Sequence, residues 1–533
     1  MWILSGGSKP QWTILRHNGP LFPEPYKTRN LQVKYNNQAF SLDPDTEEKL
    51  FTFVKYLNTD YIDNPRFKRN FWNEIKNKFP KNISLDDLDL SNFIQQYNKE
   101  KDIKDNLTKE EKEVIKQKQD IIEKPYQIVR VDGGEQKVGN YKIEPPGIFL
   151  GRGSHPKIGM WKPRILPQDV TLNLDKDAPI PKPNISGNWN SIVHQNDSIW
   201  LATWKDTITG KNKYVFPSME SFFKAKSDQQ KFDTARKLKN KVASIRKQYE
   251  DDLNSDDIKT RQLATALYFI DNLALRVGGK KDTKEQADTV GVTSLRVEHI
   301  NLLDNLTIKL DFLGKDSIRF CKLISVIQPI YNNLKEFTNN KNKKDELFDQ
   351  ITASNINDYL KTFMKNLTAK VWRTYKASNI FQKEINKINI DNFKAQSDSD
   401  RLHYLISMFN QANTQVALLC NHQKGISKNF DTQINKLKDR IKQLKKKKDK
   451  YTKSKDKNKL DKVKSLILLT KTKIQTKEKM KNVSLGTSKT NYIDPRIIIS
   501  FAKKFDIPMD KIFTQSLLNR FQWALDVDKD FIF

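Results

Sequence analysis

The sequence predicts a multidomain α+β protein, and three features of its texture predict it. Residues 1–221 are rich in Trp, Pro and Gly and run in short alternating segments such as "GNYKIEPPGIFLGRGSHP", the pattern of strands and loops. Residues 222–425 shift to the 3-4 apolar spacing of helices. Residues 426–481 contain neither Gly nor Pro and carry 20 Lys and one Arg against five Asp and one Glu. Their net +15 is about half of the +31 on all 533 residues.

In the first part, helices are expected at "FKRNFWNEIKNKF" and "TKEEKEVIKQKQDIIEK". In the second, "RQLATALYFIDNLALRVGG" places Leu263, Leu267, Ile270 and Ala274 on one helix face. That helix is expected to end at Gly278-Gly279, glycine being the residue that most easily takes the left-handed cap. "LTIKLDFLGKDSIRFCKL" alternates Ile308, Leu310 and Phe312, turns at Gly314-Lys315-Asp316 and resumes, which predicts a β-hairpin with Lys315 at its tip. In the third part, Ile434, Leu437, Ile441 and Leu444 fall at heptad spacing, as do Leu460, Val463, Ile467 and Ile474 beyond "YTKSKDKNK". Two helices folded back as an antiparallel coiled-coil arm are expected rather than a disordered basic tail. The last block, 482–533, is too short to bury its own core. It is expected to dock on 222–425, which makes the arm an insertion.

Charge narrows the partners. A chain with 30% charged residues and a net +31 is suited to a polyanion, although charge alone does not choose between DNA, RNA and an acidic membrane. The two cysteines, Cys321 and Cys420, form neither a CxxC pair nor a zinc spacing, which fits a reducing, intracellular compartment. No apolar run approaches the roughly 18 residues of a membrane span. "MWILSGGSKPQW" lacks the basic start of a signal peptide, so a soluble protein away from the membrane is expected.

Several chemistries lack their signatures. "TITGKNK" and "FLGKDS" have a Gly-Lys pair without the earlier glycine of a phosphate-cradling loop, so no ATP site is implied. The six histidines form no HExxH or His/Cys cluster, so no obligatory metal and no other cofactor is expected. A phosphodiester can still be cut by a tyrosine hydroxyl that stores the bond as a phosphotyrosine ester. Such a site needs guanidinium forks on the equatorial oxygens and an acid for the leaving oxygen. "SKTNYIDPR" offers a tyrosine, Tyr492, between Asn491 and Asp494-Pro495.

The motifs "EPPGIFLGRGSHPKIGM", "ALYFIDNLALRVGG", "ADTVGVTSLRVEHINL", "DFLGKDSIR", "LTAKVWRTYKAS", "VALLCNHQ" and "LGTSKTNYIDPR" together resemble the eukaryotic type IB DNA topoisomerases, in the family's order from about Trp12 to Phe533. The resemblance implies ATP-independent relaxation of supercoiled DNA by transient cleavage of one strand through a 3′-phosphotyrosyl intermediate, strand rotation and religation. Arg276 and Arg373 match the family's two phosphate-binding arginines. Lys315 matches its hairpin lysine, a minor-groove contact and general acid, and His422 matches the histidine on a non-bridging oxygen. Tyr492 matches the nucleophile and is expected to stand exposed toward DNA. Arg152, Asp316 and Asn491 correspond to positions around the nick, Arg152 and His155 to contacts of the family's cap, and Asn421 joins them as a DNA-facing residue. Leu150 stands where relatives often carry a basic residue, and "PSMESFFKAKSDQQ" matches too weakly to carry a role over to Lys224.

The fold implied is a clamp closed on duplex DNA by one protein monomer. It has a DNA-clamping cap (1–221), a mainly helical catalytic core related to the tyrosine recombinases (222–425), the basic linker (426–481) and a C-terminal domain bearing the tyrosine (482–533). Residence in the nucleus is what the family implies, with "KKKK" at 445–448 as a weak import signal, and a viral or organellar version would carry the same motifs. Two rivals remain. A tyrosine recombinase usually carries His-x-x-Arg at the second arginine, where this chain has Lys370-Val-Trp-Arg373. A non-catalytic basic DNA-binding scaffold would not need all five catalytic residues.

Overall fold

The computed structural model describes residues 9–36, 38–390, 397–427 and 429–533. The chain forms two compact units, one running to Lys224 and taking in Lys281–Asp288, the other built from Ala225–Lys280 and Thr289–Phe533. Lys281–Asp288, read from sequence as part of the helical core, thus belongs to the first unit. Among the described residues no helix is long and apolar enough to cross a membrane.

The first unit has two hydrophobic centres. One is helical. Asp43 and Asn64 accept backbone N–H bonds at the starts of Pro44–Phe53 and Pro65–Ile75, and Pro in the first turn presets each helix. Their apolar faces meet at Phe53 and Phe71, ring centroids 4.4 Å apart, with Phe67, Phe93 and Val33 closing the cluster. The other centre lies on strands. Leu15–His17, Ile128–Val131 and Gly134–Lys137 form one sheet, and Asn212–Val215, Ala202–Lys205, Thr171–Asn173 and Ser191–Val193 form another, in that spatial order. Inward Val129, Val131, Leu172, Ala202 and Val215 make its core.

Both expected helices are present, as Pro65–Ile75 and Lys109–Glu123, the latter opened by a Thr108–Glu111 capping box. The helices Pro44–Phe53 and Ser91–Asp105 were not anticipated. The expected strand texture around "EPPGIFLGRGSHP" is mostly loop. Only Gly147–Ile148 pairs there, with Trp161–Lys162, because Pro145-Pro146 and the positive φ of Gly151 and Gly153 interrupt any ladder.

The second unit packs helices and a three-stranded antiparallel sheet around one core. The sheet order is Ile300–Leu303, Thr307–Leu313, Arg319–Ser325, and the last two strands are the expected hairpin, closed at Leu313 opposite Arg319. Ile308, Leu310 and Phe312 face inward, into the core that also holds Leu267, Ile270 and Trp372. Ile493, Ile497, Ile498, Phe501 and Phe521 from the last block lie in that same core. Asp271, fully buried, ties the helix Ile258–Leu273 to the helix Ala369–Asn386. It accepts from both Nε (2.6 Å) and Nη2 (2.9 Å) of Arg246, from the Tyr249 hydroxyl, from Trp372 Nε1 (3.2 Å) and from Lys376 Nζ (3.1 Å).

One expected boundary is corrected. The helix ends at Leu273, not at Gly278-Gly279, and Ala274 takes the left-handed cap at φ 50°. From there the chain leaves regular structure. The Arg276 carbonyl accepts from Val292 N–H (2.9 Å) and the Val277 carbonyl from Thr293 N–H (2.8 Å). Gly278 serves this crossing rather than a helix end: a Cβ there would sit 2.6 Å from the Gly291 Cα, and its φ is +82°.

Residues 430–479 form two long helices, Phe430–Lys453 and Lys457–Lys479, folded back on each other. Ile434, Leu444, Val463, Ile467 and Ile474 are buried, while Leu437, Ile441 and Leu460 are half-buried. The second helix rests on Asp398–Leu419, where Thr476 Oγ1 meets Ser407 Oγ at 3.0 Å and accepts from Gln411 Nε2 at 2.9 Å.

Candidate active site

The early end of the helix Ile258–Leu273 is what aims Arg276. Released at Ala274, the segment beyond the helix carries the Arg276 side chain toward the start of Ala369–Asn386, where Arg373 sits one turn in. Arg373 is buried, and its Nε donates to the Ala274 carbonyl at 2.7 Å, so the left-handed cap also holds the second guanidinium in place. Both arginines converge on one oxygen. Arg276 Nη1 donates to the Tyr492 hydroxyl at 3.0 Å and Arg373 Nη1 at 2.9 Å. Neither guanidinium is in an ion pair with a carboxylate among the described residues.

Tyr492 lies at the end of a short helix, Leu485–Asn491, and just before the helix Pro495–Lys504. Its backbone is pinned on both sides. The Tyr492 N–H donates to the Ser488 carbonyl, and the Ser378 hydroxyl donates to the Tyr492 carbonyl at 3.1 Å while accepting from the Asp494 N–H at 3.0 Å. Asp494 is fully buried and gripped by Arg496, whose Nη1 also reaches Asp233 at 2.8 Å. The expectation that Tyr492 stands exposed is overturned: the residue is 4% exposed. Its ring packs with the His422 ring at 5.3 Å and under the Arg373 guanidinium at 4.8 Å. The phenol belongs to the core while its oxygen is committed to two cations.

His422 follows the helix Asp398–Leu419. Its Nδ1 is 2.8 Å from Ser488 Oγ, and its Nε2 is buried with no hydrogen-bond partner among the described residues. Burial, with Arg373 and Arg276 alongside, lowers its pKa to about 3, so the ring is neutral. Cys420 lies beneath, its thiol pushed up by burial. A cavity of about 140 Å³ is lined by Arg276, Arg373, Lys315, Asp316, Asn421 and His422 among others. Lys315 is exposed in the hairpin turn, where Asp316 takes a left-handed φ of 66°. Its ammonium makes no hydrogen bond or ion pair among the described residues.

The remaining expected residues are placed as follows. Asn421 donates through Nδ2 to the Arg319 carbonyl at 3.3 Å, which ties the histidine's turn to the hairpin. Asn491 precedes the tyrosine, and its carbonyl accepts from Lys231 Nζ at 3.1 Å. Arg152 and His155 lie in the first unit. Arg152 is exposed, whereas His155 is buried against Phe149, its pKa lowered by burial and by Lys157. Sequence reasoning missed Ser378, Ser488 and Asp271. Each is one polar residue in a helical pattern, and only the fold shows what it touches.

The arrangement can bind an anion in a cationic recess beside a phenolic oxygen, with a further ammonium on a turn and a neutral imidazole at the edge. Family models agree in order along the chain. The "Eukaryotic DNA topoisomerase I, DNA binding fragment" model matches residues 10–217, the "Eukaryotic DNA topoisomerase I, catalytic core" model 220–455, and the "C-terminal topoisomerase domain" model 464–533. DNA topoisomerase 1 of Caenorhabditis elegans is 40% identical over 557 residues, 98% of this chain and 68% of the relative. DNA topoisomerase 1 of Homo sapiens is 36% identical, over 98% and 72%. DNA topoisomerase 1 beta of Arabidopsis thaliana is 39% identical, over 99% of this chain but only 60% of its own length. Three models following one another, and relatives this similar over nearly every residue, place the chain in the eukaryotic DNA topoisomerase I family.

Proposed function

We propose that this chain relaxes supercoiled duplex DNA without ATP or an obligatory metal, as an isomerase that opens and reseals one strand. Tyr492 Oη attacks phosphorus, its proton passing to water, and forms a 3′-phosphotyrosyl ester as the bond to the 5′ oxygen breaks. Lys315 gives that oxygen its proton. The freed 5′ hydroxyl later attacks the ester, returns the phosphodiester and releases the phenol, with bond energy conserved throughout. Arg276 and Arg373 offset charge on the equatorial oxygens, and His422 donates through Nε2 to a non-bridging oxygen. Arg152, His155, Asp316, Asn421 and Asn491 contact DNA around the nick and along the cap.

The cap, core, coiled-coil linker and C-terminal domain act as one monomer on DNA in the nucleus, the core sharing its ancestry with tyrosine recombinases. Binding rests on phosphate contacts rather than strict base reading. The observation that carries this reading is the Tyr492 hydroxyl, held by two guanidiniums with no carboxylate partner, an arrangement a non-catalytic scaffold does not require. Purified Tyr492→Phe should bind plasmid as the parent does yet form no covalent adduct and relax nothing. Relaxation that persists in that variant overturns the proposal.

A further inference from the structure

We propose that Ser488 is a positioning residue for His422: its hydroxyl donates to Nδ1 and thereby keeps the imidazole proton on Nε2, the nitrogen left for phosphate. The proposal rests on the reading of His422 as a donor to a non-bridging oxygen and adds what makes that donation possible.

A neutral imidazole has one N–H and one lone pair, and which nitrogen carries the proton is decided by what the other one meets. Here the ring is neutral, because burial and two adjacent guanidiniums disfavour the second proton. Ser488 Oγ lies 2.8 Å from Nδ1, and both residues are buried, Ser488 fully. The Ser488 hydroxyl has no other hydrogen-bond partner among the described residues. If Nδ1 carried the proton, the serine hydrogen would lack an acceptor in a buried place, and Nε2 would turn a lone pair toward an incoming anion. If the serine donates, its hydrogen is used, Nδ1 is satisfied, and the buried, unpartnered Nε2 becomes a donor. One assignment satisfies every group once an anion is bound, and the other leaves two unsatisfied.

Ser488 also sits where it can register the histidine to the tyrosine. Its carbonyl accepts the N–H of Tyr492 at 2.9 Å and of Ile493 at 3.0 Å. A single residue therefore fixes the ring that donates to phosphate and the backbone of the residue that attacks it. The Ser484 N–H donates to the His422 carbonyl at 2.9 Å, so the same short helix grips the histidine from its main chain too. This makes the role geometric and electronic at once, and the two can be separated.

The test is ¹⁵N NMR of the histidine-labelled full chain, with His422 assigned by loss of its signals in His422→Gln, together with single-turnover cleavage of a duplex oligonucleotide. The unmutated protein should show a protonated Nε2 and a lone-pair Nδ1. Ser488→Ala should shift the tautomer balance and lower the cleavage rate about 10- to 100-fold, with duplex affinity changed less than about twofold. Ser488→Thr, which keeps the hydroxyl, should restore the rate. A protonated Nδ1 in the unmutated protein, or Ser488→Ala cleaving at the parent rate, overturns the proposal while leaving the proposed function intact. That function fails separately, if Tyr492→Phe still relaxes plasmid. Should Ser488→Ala not fold, the tautomer of the unmutated protein decides alone.

Discussion

Lys315 and Arg373 are both cations near the same recess, yet their surroundings separate their work. Arg373 is buried and uses Nε on the Ala274 carbonyl and Nη1 on the Tyr492 oxygen, so it is fixed before DNA arrives. Lys315 is exposed on a turn, and none of the described residues holds its ammonium, so it can move onto a leaving oxygen. Replacing the bridging 5′ oxygen by sulfur gives a thiolate leaving group, whose thiol pKa of about 8.5 means it departs with little need of a proton. Lys315→Ala should therefore cleave ordinary DNA poorly but the sulfur-bridged strand nearly as fast as the parent. Arg373→Ala should stay impaired on both, by about 10²- to 10³-fold, because offsetting charge on oxygen is unaffected by the leaving atom. Single-turnover rates on the two substrates decide this, and equal impairment of Lys315→Ala on both would remove the lysine as the acid.

Among the elements, the segment Ala274–Gly279 matters most, because its path delivers Arg276. Gly278 lies against the Gly291 backbone with a left-handed φ, so Gly278→Ala pushes a methyl into a neighbouring main chain. We expect a loss of about 1–3 kcal/mol in stability and a cleavage defect larger than any loss of DNA affinity. Cleavage at the parent rate would show that the crossing tolerates displacement. This segment also shows what could be read from sequence. The alternation of Ile308, Leu310 and Phe312 before Gly314 disclosed the hairpin, since a period of two and a turn residue are local signals. The glycine pair at 278–279 misled for the same reason: glycine reads as a helix cap, but here Ala274 takes the left-handed turn and Gly278 permits a backbone crossing. Arg276, Arg373, His422 and Tyr492 were singled out through motifs, and the fold brings them together. Ser378 and Ser488 could not be found, because their partners lie 114 and 66 residues away in the chain. The burial of Tyr492 was equally hidden, as "TNYIDP" does not reveal that His422 and Arg373 will flank the ring.

At the scale of the molecule, the two arm helices concentrate positive charge, and the second is hydrogen-bonded to Asp398–Leu419 through Thr476 near its end. Replacing residues 438–470 by a short flexible linker keeps Thr476 and its hydrogen bonds in the chain and removes a net +10. Relaxation should survive with lower processivity and a shallower dependence on salt, each lost phosphate contact reducing the slope by about 0.9. A folded deletion that no longer cleaves would show that the outer arm positions Tyr492. The paired guanidiniums at the tyrosine carry a consequence for the fold itself. Two cations that share one oxygen repel each other, and no carboxylate among the described residues is ion-paired with either. A bound anion would offset that opposition, so we expect the unliganded protein to give up some heat resistance to keep the site. Arg276→Gln should abolish relaxation while raising the unfolding temperature by about 2–4 °C, on the order of 1 kcal/mol. Inorganic sulfate should raise the unfolding temperature of the parent more than that of the variant, because in the variant the opposition is already gone.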